Sequence, residues 1–126
     1  MTLKHLKPKK EYRYKEPDLD TLDTFPNPGV GQVTLDCIEF TSLCPVTGQP
    51  DYYEVKVTYE PQDKCLESKS LKLYLGAYRQ VGSFAEQLVQ KIWEDICLVL
   101  KPKGLLVQVK SSPRGGIFIK VKKWQN

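Results

Sequence analysis

The sequence is poor in what metal centres and secreted scaffolds use. Its 126 residues hold a single histidine, His5, and four cysteines with no C-x-x-C spacing, so no metal site is expected. No apolar run approaches the length of a membrane span, so no membrane partner is expected. Met1 to Lys10 is basic and polar with no apolar centre, unlike a secretory leader, and the expectation is a cytoplasmic protein. Outside a secretory setting the cysteines do not read as a disulfide framework; Cys37, Cys65 and Cys97 read as small core hydrophobes. There is no RGG tract, zinc-finger spacing or RNA-recognition signature. The net charge of +4 therefore favours phosphate-bearing partners without making a case for nucleic acid. A G-x-G-x-x-G fingerprint is also missing, which excludes a Rossmann pocket.

What is present fits one domain with a modest core, a size at which oligomerisation helps. Residues 1–28 read as an N-terminal arm. Lysines and Pro8 come first, then Glu16, Asp18, Asp20 and Asp23, then Phe25-Pro26-Asn27-Pro28, with Phe25 as a possible anchor. Residues 29–126 read as the folded domain. Gln32 to Ile38 alternates polar and apolar, and Tyr53 to Tyr59 does so more cleanly, which predicts an antiparallel pair. Leu71, Leu75 and Tyr78 recur at helical spacing within Ser68 to Arg79. A second helix is expected to open at Ser83, with Glu86 completing a capping box. Its apolar stripe would be Phe84, Leu88, Ile92, Ile96 and Leu100, stopped by Pro102 and Gly104. Strands at Leu105 to Val109 and Ile117 to Val121 follow. The order β-β-α-α-β-β makes an α+β domain of two hairpins, whose free sheet edges suit a barrel closed between subunits.

The chemistry concentrates at Phe40 to Asp51. Cys44 lies on a Pro- and Gly-rich turn, and Asp51 follows seven positions later, just before an apolar run. An exposed thiol with a proton-handling neighbour is what a nucleophile needs. An inert loop thiol and a turn carboxylate would read the same way locally.

Three blocks in order carry a resemblance to the QueF family of nitrile reductases. They are Glu39-Phe40-Thr41-Ser42-Leu43-Cys44-Pro45 running to Gly48-Gln49-Pro50-Asp51, then Glu67-Ser68-Lys69-Ser70-Leu71-Lys72-Leu73-Tyr74, then Pro113-Arg114-Gly115-Gly116. The resemblance spans Phe25 to Ile117 and implies a tunnelling fold, with two stacked pentamers making a homodecamer. It implies NADPH-dependent reduction of 7-cyano-7-deazaguanine to 7-aminomethyl-7-deazaguanine, in the queuosine branch of tRNA modification. Cys44 matches the nucleophile that forms a thioimide, and Asp51 the proton donor. Glu86 matches the acid that anchors the base, with Leu66, Glu67, Ser68 and Ala85 beside it. Lys69, Lys72 and Arg114 match the cations on the NADPH phosphates.

One departure stands out. Where the family usually has histidine before the base-anchoring glutamate, this chain has Ala85. That loss, with the basic balance, leans toward a related class in which ammonia, not hydride, attacks the thioimide to give a formamidine on tRNA. The intact Glu67 to Tyr74 block leans toward reduction.

Overall fold

The computed structural model describes residues 16–125; His5 and the lysines of the expected arm lie outside them. A four-stranded antiparallel sheet is built from β2 (Val33–Leu43), β3 (Pro50–Glu60), β5 (Gly104–Ser111) and β6 (Lys120–Gln125), in the order β2-β3-β5-β6. Two short strands, β1 (Thr24–Pro26) and β4 (Lys64–Leu66), pair separately. Helices α1 (Ser68–Gly76) and α2 (Ala85–Leu100) lie between the two sheet hairpins in sequence and cover one face of the sheet. The α+β class and the β-β-α-α-β-β order of the body are thus as expected, with β1 and β4 added.

The alternation in β3 does what its sequence predicts. Tyr53, Val55, Val57 and Tyr59 are all buried, while Tyr52, Glu54 and Lys56 are exposed. They meet Leu71, Tyr74, Leu75 and Tyr78 from the first helical segment, which tightens into a 3-10 turn at Ala77–Gln80. Leu88, Ile92, Ile96 and Leu100 complete the core from α2. Inside it the Tyr74 hydroxyl donates to Asp95 at 2.6 Å and shares a 2.8 Å bond with the Tyr78 hydroxyl. Lys91 closes the network on Asp95 at 2.9 Å. Satisfied networks of this kind stand in for water around buried polar groups.

Four details differ from expectation. Strand β2 continues to Leu43, and its register shifts between Cys37 and Phe40. The last strand begins at Lys120 because Ile117 is used to close a tight turn with Arg114. Phe84 is 52 % exposed and does not belong to the apolar stripe. Helix α2 is capped one residue later than Ser83, with the Phe84 amide donating to Gln87 Oε1 at 3.0 Å. Glu86 therefore has no part in the cap.

Part of the stretch read as an arm packs on the body. Leu22 is buried in the core, whereas Phe25 is 46 % exposed. The Asp23 amide donates to Ser70 Oγ at 2.9 Å, and the Glu67 amide to the Asp23 carbonyl at 2.9 Å.

Candidate active site

The β2 register shift decides where the chemistry faces. Before it, Val33, Leu35 and Cys37 stand opposite Tyr59, Val57 and Val55; after it, Phe40 faces Tyr53 and Ser42 faces Asp51. One extra residue in β2 changes the inward parity from odd to even, as a β-bulge does. Without the bulge, Phe40 and Ser42 would point outward. With it, both are buried on the face that holds Asp51, and Cys44 follows Ser42 by two residues.

Cys44 starts the connection between β2 and β3. Its amide donates to the Gln49 carbonyl at 2.8 Å, and the Gly48 amide, at a residue with φ 72°, donates back to the Cys44 carbonyl at 2.9 Å. The Thr47 amide lies 3.5 Å from Sγ. Hydrogen bonding from the Thr47 side chain, then from the Thr47 and Val46 amides, lowers the Cys44 pKa from its ordinary value; the charge of Asp51 opposes this. By contrast, burial and then the Asp36 charge push the Cys37 thiol up, toward an inert protonated form.

The connector between the helices is laced to this turn. The Leu43 amide donates to Val81 O at 2.9 Å and the Ser83 amide to Leu43 O at 3.0 Å. This fastens the residues just before α2 to the end of β2 next to Cys44, with Glu86 three residues beyond Ser83. Glu86 is exposed; Ala85 is buried, 3 % accessible, and has no side chain to offer a ligand.

Asp51 is 6 % exposed and ion-paired through Oδ1 to Arg114. Burial pushes the adjacent Tyr53 phenol above its ordinary value, Asp51's charge adds to this, and the Arg114 guanidinium works against it. Arg114, expected on a phosphate, is thus engaged at the Cys44 end of the sheet. Lys69 and Lys72 are exposed on α1. Lys72 borders a cleft of about 370 Å³ between β2 and α1, together with Leu35, Cys37, Ser68, Leu71 and Arg79, and Arg114 is not part of it. Of the three expected cofactor cations, Lys72 alone lines this cleft, and Lys69 does not.

The segment Leu66 to Ser68, expected beside the base, also makes structural bonds of its own. The Leu66 side chain is buried and its amide donates to Tyr59 Oη at 2.8 Å. Both Glu67 oxygens cap α1, Oε2 accepting from the Lys69 amide and Oε1 from the Ser70 amide, each at 2.8 Å. Only Ser68 of the three is exposed. Sequence reasoning missed Thr47, Ser42 and Tyr53 as neighbours of the reactive pair. The available signal was a polar Ser42 two places from Cys44, which becomes meaningful only once the bulge is known.

A family model described as QueF-like protein matches residues 50–126. An NADPH-dependent 7-cyano-7-deazaguanine reductase from Helicobacter pylori (strain G27) is 47% identical over 123 residues, covering 95% of this chain and 82% of the relative. The chain belongs to the QueF-like protein family. A reductase of the same name from Streptococcus mutans serotype c is 47% identical over 105 residues, covering 81% of this chain and 65% of that protein. Among solved structures, the archaeosine synthase QueF-Like in its apo form superposes with a TM-score of 0.72 at 26% identity, covering 76% of this chain and 94% of the other.

Proposed function

We propose that this protein is an NADPH-dependent reductase of 7-cyano-7-deazaguanine that works through a covalent bond to Cys44. The observation that carries this reading is a half-exposed thiol, its pKa lowered first by the Thr47 side chain, placed two residues beyond Ser42, which pairs with Asp51 across the strands. A nitrile carbon resists direct hydride attack. The Cys44 thiol adds across C≡N to give a thioimide: its sulfur bonds to carbon, and its proton passes to the Asp51 carboxylate and from there to the nitrogen, splitting one hard step into easier ones. Glu86, exposed and free of capping duty, holds the amide and amine edge of the base with two parallel hydrogen bonds, beside Ser68 and the backbone of Leu66, Glu67 and Ala85.

The α1 lysines suit an anionic cofactor. Lys69 and Lys72 are three residues apart on a helix, and Lys72 borders a cleft shared with Arg79. NADPH supplies the two hydrides that a four-electron reduction needs. The Cys44 sulfur leaves after the first reduction, and the resulting imine must be kept from water until the second.

Shielding of that kind calls for a second subunit. In a single chain Cys44 is half-exposed, and β2 and β6 border the sheet. Exposed Ile38 on β2 and Trp124 on β6 place apolar surface on those borders, suiting closure of a barrel by neighbouring copies in a cytoplasmic homodecamer. Light scattering at working concentration tests the assembly.

The test of function is to mix protein, nitrile substrate and NADPH, then follow cofactor oxidation with the mass of the product. Two NADPH consumed per aminomethyl product is the expected result. Ala85 in place of histidine, with the likeness to an archaeosine synthase, supports a second reading in which ammonia attacks the thioimide on tRNA. Adduct without NADPH oxidation, turning over only with ammonia and modified tRNA, would replace the first reading by the second.

A further inference from the structure

Among the described residues four serines are buried: Ser42, Ser70, Ser83 and Ser111. Three of them have ordinary bonds for their hydroxyls. Ser70 Oγ donates to the Glu67 carbonyl at 2.7 Å, Ser83 Oγ donates to the Phe84 carbonyl at 3.2 Å, and Ser111 Oγ accepts from the Ile119 amide at 2.9 Å. Ser42 is the exception. It is fully buried, and its hydroxyl has no hydrogen-bond partner among the described residues.

Folding gives Ser42 little reason to be there. Its neighbours on the inner face of β2 are Val33, Leu35, Cys37 and Phe40, and an apolar residue would continue them. A buried hydroxyl without a bond costs desolvation that an alanine avoids. What distinguishes the position is its company. Ser42 stands directly across from Asp51, Cys44 follows it by two residues, and the nearby Tyr53 phenol feels the charges of both Asp51 and Arg114. Directly opposed residues on one face hold their Cβ atoms roughly 4.5–5.5 Å apart, a gap that a seryl hydroxyl and a carboxyl span between them.

We infer that Ser42 is a positioning residue for the proton relay: its hydroxyl hydrogen-bonds the Asp51 carboxyl while that group takes the Cys44 proton and hands it to the substrate nitrogen. The inference rests on the proposed roles of Cys44 and Asp51 and deepens them. A relay carboxyl gains and loses a proton for each adduct formed. A hydroxyl can donate to its ionised form and accept from its protonated one, whereas a guanidinium only donates. Arg114 pairs with Asp51 in the single chain, and Ser42 is the partner that remains when the arginine turns to a cofactor phosphate.

Formation of the covalent adduct reads this step alone, because it needs no NADPH. Full-length protein is mixed with 7-cyano-7-deazaguanine, and adduct is timed by intact mass. Ser42→Ala is expected to slow adduct formation about tenfold, the scale of one lost bond to an ionised group. Its Tm should equal or exceed that of the wild type, an outcome that a structural role for the hydroxyl does not allow. Affinity for the nitrile substrate, titrated in Cys44→Ala protein with and without Ser42→Ala, should not change. Ser42→Thr keeps the hydroxyl and most of the rate. Adding Ser42→Ala to Asp51→Asn should slow the residual reaction no further, since one residue acts through the other. A wild-type adduct rate in Ser42→Ala, or a slowing matched by a loss of Tm or of affinity, would overturn the inference and leave the Cys44 reading intact. Failure of the wild type to form an adduct that Cys44→Ala abolishes would overturn both.

Discussion

Glu67 accepts the Ser70 amide at 2.8 Å, and Ser70 in turn receives the Asp23 amide on its hydroxyl at 2.9 Å. Two residues of the signature block thus start helix α1 and tie the chain before β1 to it. Of its three apolar members, Leu71 and Tyr74 are buried, which leaves Leu73 facing solvent with Ser68, Lys69 and Lys72. Much of a motif that looks functional is therefore scaffold.

This makes Glu67 testable apart from catalysis. Glu67→Ala leaves two amides of the first turn without acceptors and should lower stability by about 1 kcal/mol, a few degrees in Tm. Glu67→Asp restores most of it. KM for the nitrile substrate should change little in either variant, as read by steady-state kinetics beside thermal unfolding. A large rise in KM at unchanged Tm would show that the carboxylate binds ligand after all.

Asp95 makes a second structural prediction. It is 5 % exposed and accepts from both Tyr74 and Lys91. Asp95→Ala removes the oxygen that accepts from both and should cost about 2–4 kcal/mol, while Tyr74→Phe costs about 1–2 kcal/mol. Urea unfolding with circular dichroism measures both. Burial, foremost, pushes the Tyr74 and Tyr78 phenols far above their ordinary value, so neither network hydroxyl ionises in the working range.

The reactivity of Cys44 carries a pH dependence with a definite sign. Its pKa is lowered, first by the Thr47 side chain, so the thiolate is populated at a pH where an ordinary thiol is mostly protonated. Adduct formation should rise with pH as the thiolate becomes easier to form, and fall again once the Cys44–Asp51 pair no longer holds the proton that the nitrogen takes. Thr47→Val removes the hydroxyl and should move that rise to higher pH. The variant is then slower near neutrality. Stopped-flow or quenched mass measurements across pH 5–10 check this; the range is chosen to bracket roughly the free-thiol value.

The fold was largely readable in advance because its signals are periodic. Tyr53 to Tyr59 alternates, and Leu88, Ile92, Ile96 and Leu100 recur at helical spacing, so burial follows from spacing alone. The reactive end was less readable, since a bulge changes inward phase without any residue announcing it. Ile38 and Glu39 look like an ordinary continuation of β2, and yet they send Phe40 and Ser42 inward. The cap of α2 was misplaced for a similar reason. Ser83-to-Glu86 and Phe84-to-Gln87 have the same spacing, and the backbone lacing of Leu43 to Val81 and Ser83, invisible in sequence, selects the later one.

Ala85 shows how the surrounding packing limits a sequence-level repair. Its methyl group is buried in the core cluster. Ala85→His, meant to restore the family pattern, must fit an imidazole into packed surroundings and should cost about 1–3 kcal/mol. Faster hydride transfer is not expected, because the ring would be directed into the core and away from the substrate. Single-turnover reduction of the preformed adduct, alongside Tm, tests both statements. Acceleration at unchanged Tm would mean that the start of α2 rearranges in the assembled enzyme.

Glu86 and Gln87 are adjacent, yet they should fail in opposite ways. Gln87 receives the Phe84 amide at 3.0 Å and is the residue that caps α2, whereas Glu86 is exposed in the first turn with no capping bond. Gln87→Ala should therefore lower stability by about 0.5–1 kcal/mol and leave KM for the nitrile substrate near its wild-type value. Glu86→Gln keeps the shape of the side chain but turns one of two acceptor oxygens into a donor facing a donor edge of the base. That mismatch should raise KM by about 10- to 100-fold, the scale of one lost charge-assisted bond plus one unpaired group. The only stability change expected is the few tenths of a kcal/mol that an acid in the first turn contributes through the helix dipole. Isothermal titration of the Cys44→Ala protein with substrate would read the affinity loss directly, free of the covalent step. Equal affinity for Glu86→Gln and its parent would remove Glu86 from the site and return the base anchor to another residue on the outer face of the α1–α2 connection.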